Sequence, residues 1–322
     1  MIIVPEKEIG ALITRADAFT AVESVFASMA KRTATNFPVI REAIGHADAL
    51  YGFKSGFDRA ALNLGLKSGG YWPGNAAKGI TNHQSTVFLF DADSGRCRAV
   101  VGGNLLTALR TAAAAAVSVA HLARRDSKVL GIVGAGHQAA FQLRAVAEQR
   151  GFERVVAWNR TASKLDGLAK AAGEIGLPFK AVSLEELGAQ ADVIVTITSS
   201  FEPVLLDRHV KPGTHLACMG TDTKGKQEVE AALVARATLF TDEVAQSISI
   251  GECQHAIADG SVTEGDVGEL GEVINGDRPG RRAEDEITLF DGTGVGLQDL
   301  AVAGAVVDLA VEKGVALEVD LT

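Results

Sequence analysis

Lys67, Arg110 and Asp222, together with the run Gly134-Ala-Gly-His-Gln-Ala139, are the residues of this chain whose types can do chemistry together. Lys67 ends the alternating segment Leu62-Asn-Leu-Gly-Leu-Lys67, just before Ser68-Gly-Gly70. A lysine at the end of a buried strand can anchor a carboxylate, or exchange protons if burial lowers its pKa. Arg110 lies in Asn104-Leu-Leu-Thr-Ala-Leu-Arg-Thr-Ala112, an otherwise apolar, alanine-rich helix. A guanidinium there needs a carboxylate or phosphate partner. Asp222 follows the glycine that ends the apolar run His215–Met219, where an acid is placed for proton transfer.

The glycine run is a dinucleotide signal because of its context. Val129–Val133 is apolar enough for a buried parallel strand, and the residues from His137 onward have a helical apolar face. Strand, glycine turn and helix are the setting that G-x-G-x-x-A requires. Gly134 allows the tight turn, Gly136 lets backbone approach a pyrophosphate, and Ala139 lets the helix sit close to the strand. The helix start offers N–H groups to phosphate, so Ala135, His137 and Gln138 join the cofactor set. The next strand ends Trp158-Asn-Arg-Thr161 with no acid for a ribose 2′-hydroxyl. Asn159 can bond either ribose, while Arg160 and Lys164 suit a 2′-phosphate. Cofactor is therefore NADH or NADPH, with the 2′-phosphate preference open.

These residues need elements to position them. A helix is expected from Thr14 to Lys31, capped by Thr14 or Asp17, after an edge strand at Ile2–Val4. Residues 36–100 read as strands, clearest at Ala61–Ser68 and Ser85–Asp91, with turns at Gly69-Gly70 and Asp91–Gly95 and a return strand at Arg98–Val101. A long helix spans Asn104–Ala123. From Lys128 the pattern becomes βαβ, with strands Val129–Val133, Arg154–Trp158, Ala191–Thr196, His215–Met219 and Thr238–Phe240 and helices at Gln138–Arg150 and Lys164–Ala172. Residues 242–285 read as helices. The strand Ile287–Phe290, a second glycine loop Asp291–Gly296 and a helix Val295–Lys313 close the chain. The fold class is α/β: a Rossmann-type doubly wound parallel sheet plus an α+β domain.

Composition narrows the function. The chain has 322 residues, 47% hydrophobic and 22% charged, which suits two globular domains. Its net charge of −9 argues against nucleic acid. No apolar run approaches a membrane span of about 18 residues, and the N-terminus meets acid and lysine too early for a signal peptide. Cys97, Cys218 and Cys253 are too far apart for a zinc cage or disulfide scaffold, so a reduced, cytoplasmic setting is expected. The histidines show no metal-ligand spacing; His83 and His137 read as polar contacts, and no metal is expected.

Taken together these residues resemble the ornithine cyclodeaminase/mu-crystallin family. The likeness rests on Lys67, Asn82-His-Gln-Ser-Thr86, Leu106-Thr-Ala-Leu-Arg-Thr-Ala112, Gly134–Ala139, Trp158–Thr161, Gly220-Thr-Asp222 and the late glycine loop before Asp299. It runs through most of the chain. It implies chemistry on C–N bonds alpha to a carboxylate, a nicotinamide cofactor and a homodimer formed by the non-Rossmann domain. It implies substrate contacts at Arg41, Lys67 and Arg110 and an acid/base role at Asp222, with Lys67 as a second catalytic group. Cofactor contacts are implied at Arg110, Thr111, Thr161, Thr198, Met219, Gly220, Thr221, Gly292, Thr293 and Gly294. The domains would be 1–124 plus 297–322, for substrate and dimerisation, and 125–296, for the dinucleotide. The cyclodeaminases carry an acid where this chain has Asn159-Arg160, which favours a reductase of a small carboxylate-bearing imino acid. An alanine-type dehydrogenase, a cyclic ketimine reductase, a cyclodeaminase and a non-catalytic crystallin-like cofactor binder are the rival readings.

Overall fold

A computed structural model describes residues 1–320. The chain divides into two compact units, Met1–Arg110 with the stretch from Val295 onward, and Thr111–Gly294.

Among the described residues, the first unit is built on an eight-stranded mixed sheet. Its order runs Leu317–Glu318, Ile2–Val4, Cys97–Gly102, His83–Phe90, Asn63–Tyr71, Leu50–Asp58, Ala34–Asn36, with Ile40–Ala43 also on Leu50–Asp58. Ile2–Val4 is flanked on both sides, parallel to Cys97–Gly102 and antiparallel to Leu317–Glu318, so it is not the edge strand expected. Helix Arg15–Ala30 starts at Thr14, whose hydroxyl accepts from Asp17 N while Asp17 accepts from Thr14 N, so both capping candidates act in one reciprocal box.

The turn expected at Gly69-Gly70 is absent, and strand Asn63–Tyr71 runs straight through it. A Cβ at Gly70 would lie 2.0 Å from Leu50 O, and one at Gly69 would lie 2.4 Å from Gln84 O. Glycine is there because neighbouring backbone is too close for a side chain, not because the chain turns. Lys67 therefore stands mid-strand, opposite Lys54 on one side and Val87 on the other.

The closing helix, Gly296–Glu312, buries Leu297, Leu300, Val302, Ala303, Val306 and Val307. It lies close to the sheet: a Cβ at Gly65 would be 3.0 Å from Leu300 Cδ2 of the helix, besides 2.3 Å from Phe88 O of the neighbouring strand. This approach brings the first helical turn, which carries Asp299, under strand Asn63–Tyr71.

Among the described residues, the second unit has eight parallel strands. The order is Phe179–Ala181, Arg154–Trp158, Val129–Val133, Val193–Thr196, His215–Cys218, Thr288–Asp291, Thr238–Thr241, Val267–Glu269. The sheet thus winds outward in both directions from Val129–Val133, as in a doubly wound fold. Val129–Val133 is buried throughout, which is why it reads as one apolar run. Residues 242–285 hold a strand as well as helices. Val267–Glu269 is too short for a period-two pattern to register.

Helix Asn104–Leu122 is long and apolar enough to meet the composition of a membrane span, which corrects the expectation that no stretch does. It is nevertheless a core helix, with Leu106, Ala108, Val117, Val119 and Leu122 fully buried.

Gly65→Ala tests the close contact of helix and sheet. It is expected to lower stability by about 1–3 kcal/mol, the usual range for overpacking. Denaturant unfolding measures this, and an unchanged midpoint would mean that the neighbouring strand and the helix both give way to the added methyl at no cost.

Candidate active site

In the first unit, one carboxylate organises the candidate residues. Lys67 Nζ lies 2.8 Å from Asp299 Oδ2, and Arg110 Nε lies 3.0 Å from Asp299 Oδ1. Arg110 Nη1 also donates to Gln298 Oε1 at 3.2 Å. All three charged side chains are buried. Arg110 is placed by its helix, Lys67 by its strand register and Asp299 by the first turn of the closing helix.

The electrostatics follow from this arrangement. Burial pushes the Asp299 carboxyl up, but Arg110 and Lys67 outweigh it and hold the group below its usual range. Burial drives Lys67 down to about 7, with Arg110 and Lys54 adding to the fall and Asp299 opposing it. That value lets the amine gain or lose a proton near neutrality. His83 is lowered to about 4 by burial and by Lys67 and Arg110, so its ring is uncharged at neutral pH. Arg41 stands on the exposed strand Ile40–Ala43, and its charge also bears on His83. Lys67, Arg110 and Arg41 thus belong to one electrostatic cluster.

In the second unit the glycine turn has the geometry its sequence demands. Gly134 has φ +110°, and a Cβ there would lie 2.6 Å from Ile197 O, so only glycine fits. A Cβ at Gly136 meets no protein atom within 4 Å, so nothing in the chain itself calls for glycine at that position. Gln138 Oε1, beside it, is buried with no hydrogen-bond partner. A pyrophosphate approaching the backbone fits the open space at Gly136, whereas the Gln138 oxygen, an acceptor, calls for a donor instead. Ala135 N donates to Asn159 Oδ1 at 3.1 Å, and Asn159 Nδ2 donates to Thr161 O at 2.8 Å. Asn159 therefore braces the turn. Arg160 and Lys164 are exposed just beyond it, as is His137 on the turn, whose ring is 5.6 Å from that of Phe141.

The remaining candidates stand at or near the carboxyl ends of the strands. Thr198 follows Val193–Thr196, Met219 to Asp222 follow His215–Cys218, and Gly292 to Gly294 follow Thr288–Asp291. Thr111 is buried in helix Asn104–Leu122. Thr221 Oγ1 donates to Glu252, and Thr293 Oγ1 donates to Asp242, so as donors both hydroxyls point inward. Asp222 Oδ1 is 2.7 Å from Lys226 Nζ, an i,i+4 pair that leaves the carboxylate about one-third exposed.

Three sets of partners were given no role by the sequence. Asp299 pairs with both Lys67 and Arg110, Lys226 pairs with Asp222, and Glu228, Glu252, Asp242 and Asp291 form a group of buried acids. Asp299 could have been sought: an arginine in one apolar helix calls for an acid in another, and Asp299 is the acid in the first turn of the closing helix.

A model of the ornithine cyclodeaminase/mu-crystallin family matches residues 2–314. The chain belongs to this family. It is 66% identical over 321 residues to the iminosuccinate reductase of Paracoccus denitrificans, covering 100% of both chains. The crystal structure of that protein in complex with NAD+ superposes with a TM-score of 0.97, covering 100% of this chain and 99% of the other. The Δ1-pyrroline-2-carboxylate reductase of Thermococcus litoralis, solved with NADH and L-proline, is 27% identical with a TM-score of 0.94, covering 99% of this chain and 100% of that one. An archaeal alanine dehydrogenase dimer with bound NAD is 31% identical with a TM-score of 0.93, covering 100% and 99%.

Asp299→Asn is expected to destabilise the fold by about 3–5 kcal/mol, because it leaves buried cations without their counter-charge. The double variant Lys67→Met/Asp299→Asn should lose less than the sum of the two single losses. Denaturant unfolding of all four proteins gives the coupling, and strict additivity would dissolve the ion pair as an energetic unit.

Proposed function

We propose that this protein is an NAD(P)H-dependent reductase of α-imino acids, and that its substrate is iminosuccinate, reduced to L-aspartate. The observation that carries the reading is the pair of buried cations on one buried carboxylate. Lys67 and Arg110 share Asp299, so when Lys67 is protonated one carboxylate faces two positive charges. That surplus suits the carboxylate next to an imine carbon. The charges of Arg41 and Lys54, which bear on His83 and Lys67, add to the field a dicarboxylate would meet. The full-length likeness to an iminosuccinate reductase supports the choice of dicarboxylate.

A nicotinamide cofactor, when bound, would supply the hydride that the imine carbon takes. Arg110 and Lys67, with Arg41, hold the substrate by its carboxylates and so orient that carbon. The imine nitrogen takes a proton as the carbon takes the hydride, and Lys67 or Asp222 delivers it. A protonated imine is the better electrophile, and a positioned proton donor of this kind is worth about 10²–10⁴-fold in rate. Gly134 to Gln138 would cradle the pyrophosphate, and Asn159 and Arg160 would hold the adenosine ribose. The NAD+ and NADH complexes of the relatives favour no 2′-phosphate, while Arg160 and Lys164 suit one, so both cofactors belong in the assay.

The first unit serves substrate binding and dimerisation in this reading, and the second holds the dinucleotide. Phe37, Ile40, Ile44, Tyr71 and Ile80 are exposed on the first unit, which supports a homodimer formed there, and one relative is described as a dimer. The cytoplasm, where nicotinamide cofactors are regenerated, suits such an enzyme.

A substrate panel decides the reading. Oxaloacetate with ammonium generates iminosuccinate in the reductive assay, to be compared with pyruvate plus ammonium and with Δ1-pyrroline-2-carboxylate, each with NADH and NADPH. The highest kcat/KM is expected with iminosuccinate. A clear preference for a monocarboxylate imine would overturn the substrate assignment, and no turnover with any imine would overturn the reductase.

The pH profile tests Lys67 separately. Its pKa in the fold is about 7 against 10.5 for the free side chain, so the amine is protonated below about 7 and neutral above. Reductive kcat/KM should therefore fall as pH rises through about 7. In Lys67→Arg, whose guanidinium stays charged, that inflection should vanish. A profile identical in both proteins removes Lys67 as its cause.

A further inference from the structure

In the second unit, the carboxylate of Glu228 ties together two chain segments that leave neighbouring strands. Glu228 is 1% exposed. Its Oε1 accepts from Thr198 N at 2.5 Å, and its Oε2 accepts from Gly220 N at 2.8 Å and from Thr196 Oγ1 at 2.7 Å. Thr198 follows strand Val193–Thr196, and Gly220 follows strand His215–Cys218. The fit is tight: a Cβ at Gly220 would lie 2.2 Å from Thr198 O and 2.6 Å from the Glu228 carboxyl group. The acid is itself fixed by Glu252, whose Oε1 accepts from Glu228 N and Val229 N at 2.8 Å each, and whose other oxygen accepts from Thr221 Oγ1. Asp291 Oδ2 in turn accepts from Glu252 N at 2.8 Å.

Position across the sheet says what this bracket serves. The adenosine end of a dinucleotide lies at the strand carrying Asn159, next to Val129–Val133 and its glycine turn. Val193–Thr196 and then His215–Cys218 lie on the other side of Val129–Val133. A dinucleotide anchored by its pyrophosphate on the glycine turn extends its second nucleotide over the carboxyl ends of those two strands. We propose that Glu228 is a positioning residue for the nicotinamide half of the cofactor, acting through the backbones of Thr198 and Gly220. The inference rests on the cofactor reading of the preceding section. Glu228 touches no reacting atom. It sets the height and spacing of the two segments on which the nicotinamide nucleoside rests.

Glu228→Gln replaces one accepting oxygen by an NH2 group, which must confront at least one of these donors. The measurement is calorimetric titration of wild type and variant with two probes, NADH and ADP-ribose, the second lacking the nicotinamide. In the variant, the Kd for NADH should rise about tenfold or more, the scale of losing a hydrogen bond to a charged group. The Kd for ADP-ribose should stay within about twofold of wild type, because the Gly134 turn is untouched. Equal weakening of both probes, or none of either, overturns the inference. Thr196→Val removes one donor to Glu228 without altering the acid, and should show the same selectivity on a smaller scale. It carries the test if Glu228→Gln does not fold, and equal weakening of both probes there overturns the inference in the same way. Wild type that binds neither probe overturns the cofactor reading and the inference with it, whereas wild type that binds both beside an unchanged variant overturns the inference alone.

Discussion

The first unit depends on a buried carboxylate that holds two buried cations. Removing Asp299, Lys67 and Arg110 from water costs several kcal/mol for each ion, and their attraction offsets this only when the geometry is complete. Completeness here comes from three elements at once. A strand glycine lets the closing helix approach, the helix delivers Asp299 to both cations, and Gln298 takes a further guanidinium N–H. An ion cluster of this kind is a poor source of stability, since apolar side chains of similar volume would serve as well or better. Its presence in the core makes sense when the charge is needed for something other than folding. One carboxylate cannot neutralise two cations; Lys67 is lowered to about 7 first by its burial, with the charges of Arg110 and Lys54 adding to the fall.

The second unit uses buried charge in the opposite sense. Glu228, Glu252, Asp242 and Asp291 are acids, and their oxygens receive backbone N–H and hydroxyl donors rather than cations. A carboxylate accepting two or three such bonds behaves as a rigid staple between segments that share no secondary structure. Asp242 holds Thr293 and Gly294 as Glu228 holds Thr198 and Gly220. Burial drives Glu252 to about 8 and Asp291 to about 7, so at neutrality these acids can share protons among themselves and keep the summed charge of the group small. The first unit therefore concentrates buried positive charge around one carboxylate, while the acids of the second hold loop backbone in place.

What the sequence made legible was local, and what it hid was distant or contradictory at short range. The glycine turn could be read because strand, turn and helix lie within a dozen residues and Gly134 must take a positive φ. Arg110 and Lys67 stood out because charged side chains amid apolar ones violate the pattern around them. Asp299 did not stand out, although it is their partner, because 189 residues separate it from Arg110 and an acid in the first turn of a helix has an ordinary explanation in the helix dipole. Strand Leu50–Asp58 is broken to the eye by two glycines and Lys54, and Gly69-Gly70 carry a turn's composition inside a strand. In both places glycine answers to a neighbouring strand, which a single stretch of sequence does not contain. Glu228 sits in the polar stretch after Asp222 and reads as one more solvated charge.

The family's range of substrates can be set against this division. Every α-imino acid offers a carboxylate beside the C=N bond, so the pairing of Lys67 and Arg110 on Asp299 suits the part all of them share. Discrimination must then fall to groups whose influence reaches that pair without belonging to it. His83, Arg41 and Lys54 are such groups, because the charges of Lys67 and Arg110 act on His83 as that of Arg41 does, and Lys54 acts on Lys67 and Asp299. An uncharged His83 can donate or accept a hydrogen bond without adding to the desolvation cost of the site. Two further cations raise the attraction for a second carboxylate, and against an apolar side chain they would be a penalty rather than a neutral feature. Under the proposed reading, preference for a dicarboxylate would be set by the surroundings of the Lys67–Asp299–Arg110 cluster, and the cluster itself would serve the carboxylate that every α-imino acid carries.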